Sequence, residues 1–140
     1  MNAEYFLDTN VLVYSFDTTA PVKAAKARSL VELSLREGRG VISWQIVQEF
    51  SNLALLKFAK PMTAAECGLY LRKVLLPLCR VWPSSSIYQD ALDLVAETGY
   101  SWYDCLVLAA AIDSGAKRLL TEDLQHGRIV RRLEIVDPFA

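Results

Sequence analysis

Four acidic residues lie where apolar segments of the sequence begin or end, or inside such a segment. Asp8 closes "EYFLD", Asp123 closes "RLLTED", Asp104 opens "YDCLVLAAAI", and Glu49 lies in "SWQIVQEF". Clustered carboxylates with no His or Lys among them repel one another unless a cation joins them. Mg²⁺ or Mn²⁺ prefers such oxygen ligands, and a bound ion can activate water for attack on a phosphodiester. The four acids therefore suggest a divalent-metal site that hydrolyses phosphodiesters.

Each acid outside the "SWQIVQEF" segment also has a purely structural interpretation. Asp8 is a good N-cap for a helix that follows it. Asp104 lies three residues after Ser101 and could take part in capping a helix there. Asp123 and its neighbour Glu122 could be ordinary turn residues. Taken singly, these acids do not separate a catalytic role from a structural one.

Glu49 separates the two interpretations best. At helical spacing it falls between Leu53 and Leu56, in the sector that also holds Ile46. A buried unpaired carboxylate is costly, so we expect Glu49 to serve a function there, although it could also turn its head to solvent at the edge of the stripe.

The elements that would position these acids alternate between strands and helices. Strands are predicted at 4–8, 41–43, 80–82, 118–120 and 133–136, and helices at 21–36, 44–59, 63–77, 84–99 and 101–115. Short strands that are apolar on both faces indicate a parallel sheet covered by helices. The predicted fold is an α/β protein, a three-layer α/β/α sandwich with a short parallel central sheet. Ligands of such sheets bind beyond the carboxyl ends of the strands, where Asp8 would lie.

The composition limits the class of protein. With 140 residues, of which 53% are hydrophobic, the chain is expected to form one globular domain, residues 1–140. Its net charge of -1 predicts no general electrostatic attraction to nucleic acid, although local basic patches remain possible. The longest apolar run, 105–112, is far below the roughly 20 residues of a membrane span. Glu4 and Asp8 do not suit a signal peptide. The three widely spaced cysteines predict buried thiols, with no zinc or redox pair.

Four segments together resemble the PIN domain: "YFLDTNVLVY", "SWQIVQEF", "YDCLVLAAA" and "LLTEDLQHG", in this order and spacing. From Tyr5 to the closing "VDPF", the chain is similar to the VapC-type toxin ribonucleases of bacterial toxin–antitoxin pairs. The resemblance implies a PIN-like fold, a cytoplasmic homodimer and an endoribonuclease that depends on Mg²⁺ or Mn²⁺. It also implies an RNA substrate and inhibition by a small VapB-type antitoxin.

The same resemblance assigns roles to particular residues. The catalytic and metal-binding positions of the family fall on Asp8, Glu49, Asp104 and Asp123. Its supporting polar positions fall on Asn10 and Thr121. Glu122 is adjacent to Asp123, and spacing alone does not exclude it from the site.

Several other residues are given no catalytic role. His126 is interpreted as a surface residue in a turn. The aromatic residues Trp44, Trp82, Trp102 and Tyr103 could stack bases, but packing in the core or in a dimer is the better interpretation. The basic residues Arg128, Arg131 and Arg132 could hold RNA phosphates, and a solvated basic edge strand explains them equally well.

The partners follow from surface and charge. The helices within 44–76 carry apolar side chains, among them Leu55, Phe58 and Leu69, that favour a homodimer. The resemblance implies an antitoxin, and the charge of an anionic pocket predicts that this antitoxin places an Arg or Lys near Asp8 and Asp104.

Two other functions were considered. A non-catalytic α/β interaction module would use its acids only as helix caps, which does not explain Glu49. A phosphoacceptor like a response-regulator receiver requires an Asp at the end of a middle strand, where this sequence has "VWPSSS".

Overall fold

A six-stranded sheet forms the centre of the protein in the computed structural model, which describes residues 3–140. Its strands are β1 (Tyr5–Leu7), β2 (Gly40–Ser43), β3 (Cys79–Val81), β4 (Arg118–Leu120), β5 (Ile129–Val130) and β6 (Leu133–Val136). Their order across the sheet is β3-β2-β1-β4-β6-β5. All neighbours run parallel except β5 and β6. The predicted parallel sheet is confirmed.

Within the described residues, seven α-helices flank the sheet, which confirms the α/β class. They are α1 (Thr9–Tyr14), α2 (Pro21–Glu37), α3 (Trp44–Leu56), α4 (Ala64–Tyr70), α5 (Leu76–Leu78), α6 (Ser85–Thr98) and α7 (Trp102–Asp113). A π-helical segment, Leu71–Leu75, joins α4 to α5. None of the helices in residues 3–140 has the length and apolar character needed to cross a membrane.

The helix ends follow the capping residues of the sequence. Thr63 and Glu66 form a reciprocal capping box at the start of α4, with bonds of 2.9 and 3.1 Å. Ser84 accepts a hydrogen bond from the Ile87 amide at the start of α6. Gly99 ends that helix in the left-handed conformation, φ 77°, which an L side chain rarely adopts.

The structure differs from the prediction at the end of one helix and at one hairpin. The helix predicted over 44–59 ends at Leu56, because Phe58 turns inward and packs against Phe16 and Phe50 with ring centroids 5.7 and 5.8 Å apart. The hairpin of β5 and β6 was not predicted. Its two turn residues, Arg131 and Arg132, have φ angles of 47° and 74°, where Asn-Gly is the usual sequence signal.

Gly40 shows how closely α2 approaches the sheet. A Cβ atom at this position would overlap the Cβ and Oγ of Ser34 and would lie 2.9 Å from Cε2 of Tyr5. Ser34 is itself buried on α2 and donates its hydroxyl to the Leu30 carbonyl. Only a glycine allows β2 to start against this helix. The same interior holds the three cysteines, which are free and buried, as predicted.

Charged side chains pair with one another at the amino ends of the strands. Glu4 lies 3.7 Å from Arg39 and 4.0 Å from Arg118, and Arg118 lies 3.4 Å from Glu134. Arg39 also lies 3.6 Å from Glu37. Acids and bases therefore alternate at this end of the sheet.

Candidate active site

A pocket of about 260 Å³ opens at the opposite end of the sheet, beyond the carboxyl ends of β1 and β4. All four predicted acids line it, each from a different element. Its lining residues are Asp8, Thr9, Asn10, Val13, Gln45, Glu49, Leu53, Tyr103, Asp104, Val107 and Asp123. No Lys, Arg or His is among them. The topology therefore places four carboxylates around one pocket that has no basic side chain in its lining.

Asp8 follows β1 and is fixed by two hydrogen bonds. Its Oδ1 accepts from the Thr9 amide at 2.8 Å, which makes it the N-cap of α1, and its Oδ2 accepts from Thr121 Oγ1 at 2.8 Å. Burial raises the pKa of Asp8 from 3.8 to about 6. The two hydrogen bonds oppose that rise, and the charges of Asp123 and Glu49 add to it. Asp8 is thus both a helix cap and a part of the pocket.

Asn10 and Thr121 hold the segment that carries Asp123. Asn10 Nδ2 donates to Asp123 Oδ2 at 3.1 Å and to Thr121 Oγ1 at 3.2 Å, and Asn10 Oδ1 accepts from the Glu122 amide at 3.3 Å. The fully buried Thr121 hydroxyl also accepts from the Asp123 amide at 3.1 Å. The two predicted supporting residues therefore connect Asp123 to Asp8.

The expectation that Glu49 is buried in an apolar sector is wrong. Its side chain is exposed at the pocket, because it lies at the border of the apolar face of α3. Leu53, four residues on, is only partly buried, and Leu56 is 68% exposed. The buried face of the helix consists of Gln45, Ile46, Phe50 and Ala54.

The surroundings of Glu49 nevertheless disfavour its charge. The adjacent protein partly withdraws the carboxylate from water and raises its pKa, and like charges on Asp104 and Asp123 add to the rise. Thr9, whose Oγ1 donates to Oε1 at 3.5 Å, and Gln45 act in the opposite direction. Glu49 lies in the interior of a helix, so capping does not explain it.

Asp104 lies in the first turn of α7, but the cap of that helix is Ser101. The Ser101 hydroxyl accepts from the Asp104 amide at 3.2 Å, so the Asp104 carboxylate is not needed as the cap. That carboxylate lines the pocket instead. The capping interpretation therefore holds for Ser101 rather than for Asp104.

Glu122 is held outside the pocket. Its Oε1 accepts from the Tyr14 hydroxyl at 2.6 Å, and its Oε2 lies 2.6 Å from Lys23 Nζ. Lys23 also lies over the rings of Tyr14 and Phe139, at 4.8 and 5.7 Å from their centroids. Of the two adjacent acids, only Asp123 lines the pocket.

Gln45 and Tyr103 are among the lining residues that were not singled out as site residues from the sequence. Gln45 is 5% exposed; its Nε2 donates to the Tyr103 carbonyl at 3.2 Å, and its Oε1 is buried without a partner among the described residues. Tyr103 is 67% exposed and lines the pocket. The spacing offered a signal for Gln45, since it lies four residues before Glu49 and so shares its helix face.

The other aromatic residues lie away from the pocket lining. Trp102 stacks on Tyr88 at 6.2 Å, and Trp44 meets the same ring edge-on at 6.1 Å. Trp44 and Trp102 are partly buried, in agreement with the predicted packing role, whereas Trp82 is 57% exposed.

Two of the basic residues and the single histidine are engaged by the protein itself. Arg131 pairs with Glu97 at 2.6 Å. Arg128 lies over the Tyr100 ring at 4.9 Å and donates to a backbone carbonyl. His126 Nδ1 accepts from the Asp137 amide at 2.9 Å, which gives it a structural role near the C-terminus.

The pocket suits a hard divalent cation by its chemistry. Within residues 3–140, no three His, Cys, Asp or Glu side chains converge closely enough to hold an ion as they stand. Mutual repulsion favours such separation, and Asp8 and Asp123 accept hydrogen bonds from neutral donors. Exposed Glu49 and Asp123 have room to turn toward a cation. Four carboxylates without a protein cation fit Mg²⁺ or Mn²⁺.

Comparison with known proteins gives one family and several similar folds. The model of the PIN domain family matches residues 5–131. No curated protein matches the chain.

Three solved structures share the fold. A toxin–antitoxin complex from Klebsiella pneumoniae is 18% identical with a TM-score of 0.67, over 96% of this chain and 98% of that chain. FitAcB from Neisseria gonorrhoeae is 16% identical with a TM-score of 0.65, over 96% and 98%. VapBC2 from Rickettsia felis, bound to a DNA fragment from their promoter, is 17% identical with a TM-score of 0.62, over 94% and 96%.

Proposed function

Because this chain belongs to the PIN domain family, we propose that it is a metal-dependent endoribonuclease, with residues 1–140 acting as one domain. PIN domains are generally divalent-metal-dependent nucleases. The observation that carries the proposal is the pocket in which four separate elements each contribute one carboxylate. Helix capping explains only Asp8 of this set, and bringing four like charges near one another without a base in the lining does not stabilise the fold.

The proposed roles follow from the contacts. Asp8, Glu49, Asp104 and Asp123 hold the divalent ion, Mg²⁺ or Mn²⁺. Asp8 is oriented by Thr121 and the Thr9 amide, so it presents its carboxylate in one direction. A bound cation would activate a water molecule and neutralise charge on the phosphodiester.

The remaining residues orient the acids. Asn10 donates to Asp123 and to Thr121, which keeps the segment after β4 beside the start of α1. Thr9 donates to Glu49 across the pocket. Because the donors Asn10 and Thr9 are uncharged, their hydrogen bonds hold the acids in place without neutralising the negative charge of the carboxylates.

The weaker alternative is a non-catalytic α/β interaction module that uses its acids only as helix caps. It accounts for Asp8, which does cap α1. Glu49 lies inside a helix, Asp123 follows a strand, and Ser101 performs the capping of α7.

We further propose that the protein is a VapC-type toxin with a small antitoxin partner. The support is the likeness in fold to a toxin–antitoxin complex and to VapBC2. A pocket lined by acids without a base would accept an Arg or Lys of the antitoxin near Asp8 and Asp104.

A homodimer is part of the same proposal. Exposed apolar side chains occur on α3 and the helices that follow: Leu55 is 39% exposed, Leu56 68%, Leu69 49% and Leu76 43%. Phe58, also expected on this surface, packs instead against Phe16 and Phe50. Sedimentation at micromolar concentration tests the dimer, and a monomer alone would contradict it.

The decisive experiment is RNA cleavage by the purified protein with Mg²⁺ or Mn²⁺, with and without EDTA. Cleavage that requires the ion and is lost on chelation supports the proposal. Absence of metal-dependent cleavage from a panel of structured and unstructured RNAs would refute it.

A further inference from the structure

The four acids of the pocket form two pairs with separate supports. The acids that follow β1 and β4 are joined through Asn10 and Thr121 by hydrogen bonds of 2.8 to 3.2 Å. Glu49 and Asp104 are not held by those two residues. Within residues 3–140, the hydrogen bond that links the two pairs runs from Thr9 Oγ1 to Glu49 Oε1, and its length of 3.5 Å makes it weak. The second pair therefore needs a support of its own.

The side chain of Gln45 connects the elements that carry this second pair. Gln45 lies in the first turn of α3, four residues before Glu49, and so shares its helix face. Its Nε2 donates to the carbonyl of Tyr103, the residue before Asp104, at 3.2 Å. An amide nitrogen has two hydrogens, so one remains for Glu49. Partial burial raises the pKa of Glu49, and Thr9 and the Gln45 amide oppose that rise as hydrogen-bond donors.

Packing does little to hold α3 and α7 in place relative to each other. α7 packs chiefly against α6, and the backbones of α3 and α7 approach each other at few positions. The bond from Gln45 to the Tyr103 carbonyl joins the first turns of the two helices directly. The distance between Glu49 and Asp104 therefore depends on this amide more than on the surrounding core.

The other half of the same amide is unfavourable for the fold. Gln45 is 5% exposed, and its Oε1 has no hydrogen-bond partner within residues 3–140. A buried acceptor without a partner lowers stability, whereas an apolar side chain of the same shape would lose nothing at this place. An amide in such a position is explained when its donor half serves the site.

We propose that Gln45 is a positioning residue of the acidic pocket, whose amide nitrogen holds the Glu49 carboxylate and the Tyr103 carbonyl together so that Glu49 and Asp104 face a divalent ion as a fixed pair. The amide is neutral, so it orients the carboxylate without removing the charge that attracts the ion. This inference rests on the proposed nuclease function and adds to it a residue that acts through two of the acids.

The test compares Gln45→Met with Gln48→Met. Met has nearly the shape of Gln and no N–H donor. Gln48 is the matched control, because it is exposed on the same helix, directly before Glu49, and does not line the pocket. Calorimetry gives the Mn²⁺ affinity of each variant, and RNA cleavage in saturating Mn²⁺ gives kcat and KM. Gln45→Met is also made in an Asp104→Asn background, with thermal melts of every variant.

Gln45→Met should bind Mn²⁺ about 10- to 100-fold more weakly and, in saturating Mn²⁺, should lower kcat with little change in KM for RNA. Gln48→Met should match the wild type in every measurement. In the Asp104→Asn background, Gln45→Met should lose most of its effect on Mn²⁺ affinity, because one of the two groups that the amide positions is already gone. The metal-free melting temperature of Gln45→Met should not fall.

An unchanged Mn²⁺ affinity in Gln45→Met, or an equal loss in Gln48→Met, would overturn the positioning role. A full effect in the Asp104→Asn background would overturn it as well, and so would a Gln45→Met variant that does not fold, since the amide would then be a structural requirement. If the wild type binds Mn²⁺ but cuts no RNA, the nuclease proposal fails and the affinities still decide the role of Gln45. If the wild type binds no Mn²⁺, both proposals are refuted.

Discussion

The two ends of the sheet hold their acids in opposite surroundings. At the amino end, Glu4 and Glu134 are paired with Arg39 and Arg118 at distances of 3.4 to 4.0 Å. At the carboxyl end, four carboxylates share a pocket whose lining includes no base. In the first arrangement the acids are paired with basic residues of the chain itself. The second has no such partner in the lining, which is why we propose a metal ion or a basic group of a partner at this end.

The largest expected effect comes from removing one charge at the carboxyl end. Asp8→Asn should lower RNA cleavage by at least about 100-fold, because the amide keeps the shape and the hydrogen bond from the Thr9 amide but gives up the charge that holds a cation. Glu134→Gln, at the amino end, is the matched control and should cleave at the wild-type rate. Equal activities of the two variants would show that the ends do not differ in function.

A second test concerns Gln45, which holds α7 to α3 and whose Oε1 has no hydrogen-bond partner within residues 3–140. Gln45→Met should bind Mn²⁺ about 10- to 100-fold more weakly, because Glu49 and Asp104 lose their common support. Its metal-free stability should not fall, since the unpaired oxygen is removed together with the amide. Calorimetry gives the metal affinity, and urea unfolding gives the stability. A variant that loses stability but binds Mn²⁺ normally would make Gln45 a purely structural residue.

A third test uses pH in the metal-free protein. The pKa of Asp8 is about 6 in the folded state against 3.8 without burial, so between these values the folded state binds more protons than the unfolded state. Its contribution to stability therefore falls as the pH rises from about 4 to about 6. At pH 7, Asp8→Asn should be more stable than the wild type by about 1–2 kcal/mol, after allowance for partial relaxation.

The control for this prediction is the metal itself. In saturating Mn²⁺ the order should invert, because the ion binds and stabilises only the wild type strongly. Urea unfolding of the wild type and of Asp8→Asn at pH 4.5 and pH 7, with and without Mn²⁺, gives the free energy of unfolding under each of the four conditions. If the wild type were more stable than Asp8→Asn at pH 7 without metal, this would contradict the prediction, because it would mean that the protein itself stabilises the negative charge of Asp8.

The smallest effect is expected at the amino end. Glu4→Gln removes a carboxylate whose partners are about half exposed, and such pairs are worth roughly 0–1 kcal/mol. The loss of stability should stay below about 1 kcal/mol and shrink further in 1 M salt. Thermal melts in low and high salt test this. A larger loss would mean that the pairs at this end are essential to the fold.

Much of the fold was predictable because its signals are local. The apolar runs and the caps at Thr63, Ser84 and Gly99 placed most elements within a few residues. The β5–β6 hairpin was missed because Arg131 and Arg132 adopt positive φ without the usual Asn or Gly. The two residues join β5 to β6, and the antiparallel pairing of these strands is a contact that no single residue type indicates.

The site was predictable in part. The four acids could be named from motifs and spacing, but the reason given for Glu49 was wrong, since the border of a helix face depends on how neighbouring helices cover it. The choice between Glu122 and Asp123 depended on Lys23 and Tyr14, which are about 100 residues away in sequence. Long-range partners of this kind leave no local pattern.

The tight approach at Gly40 has a genetic consequence. Any side chain there would collide with Ser34, although this position is at the amino end of β2 and takes no part in chemistry. A screen that scores survival or loss of activity would therefore return Gly40 beside Asp8 and Asp123, as if all three were equally essential. Essentiality in such a map would mix a requirement for folding with a requirement for catalysis. Soluble yield and melting temperature separate them: substitutions at Gly40 should lower both, whereas amides at the acids should lower neither.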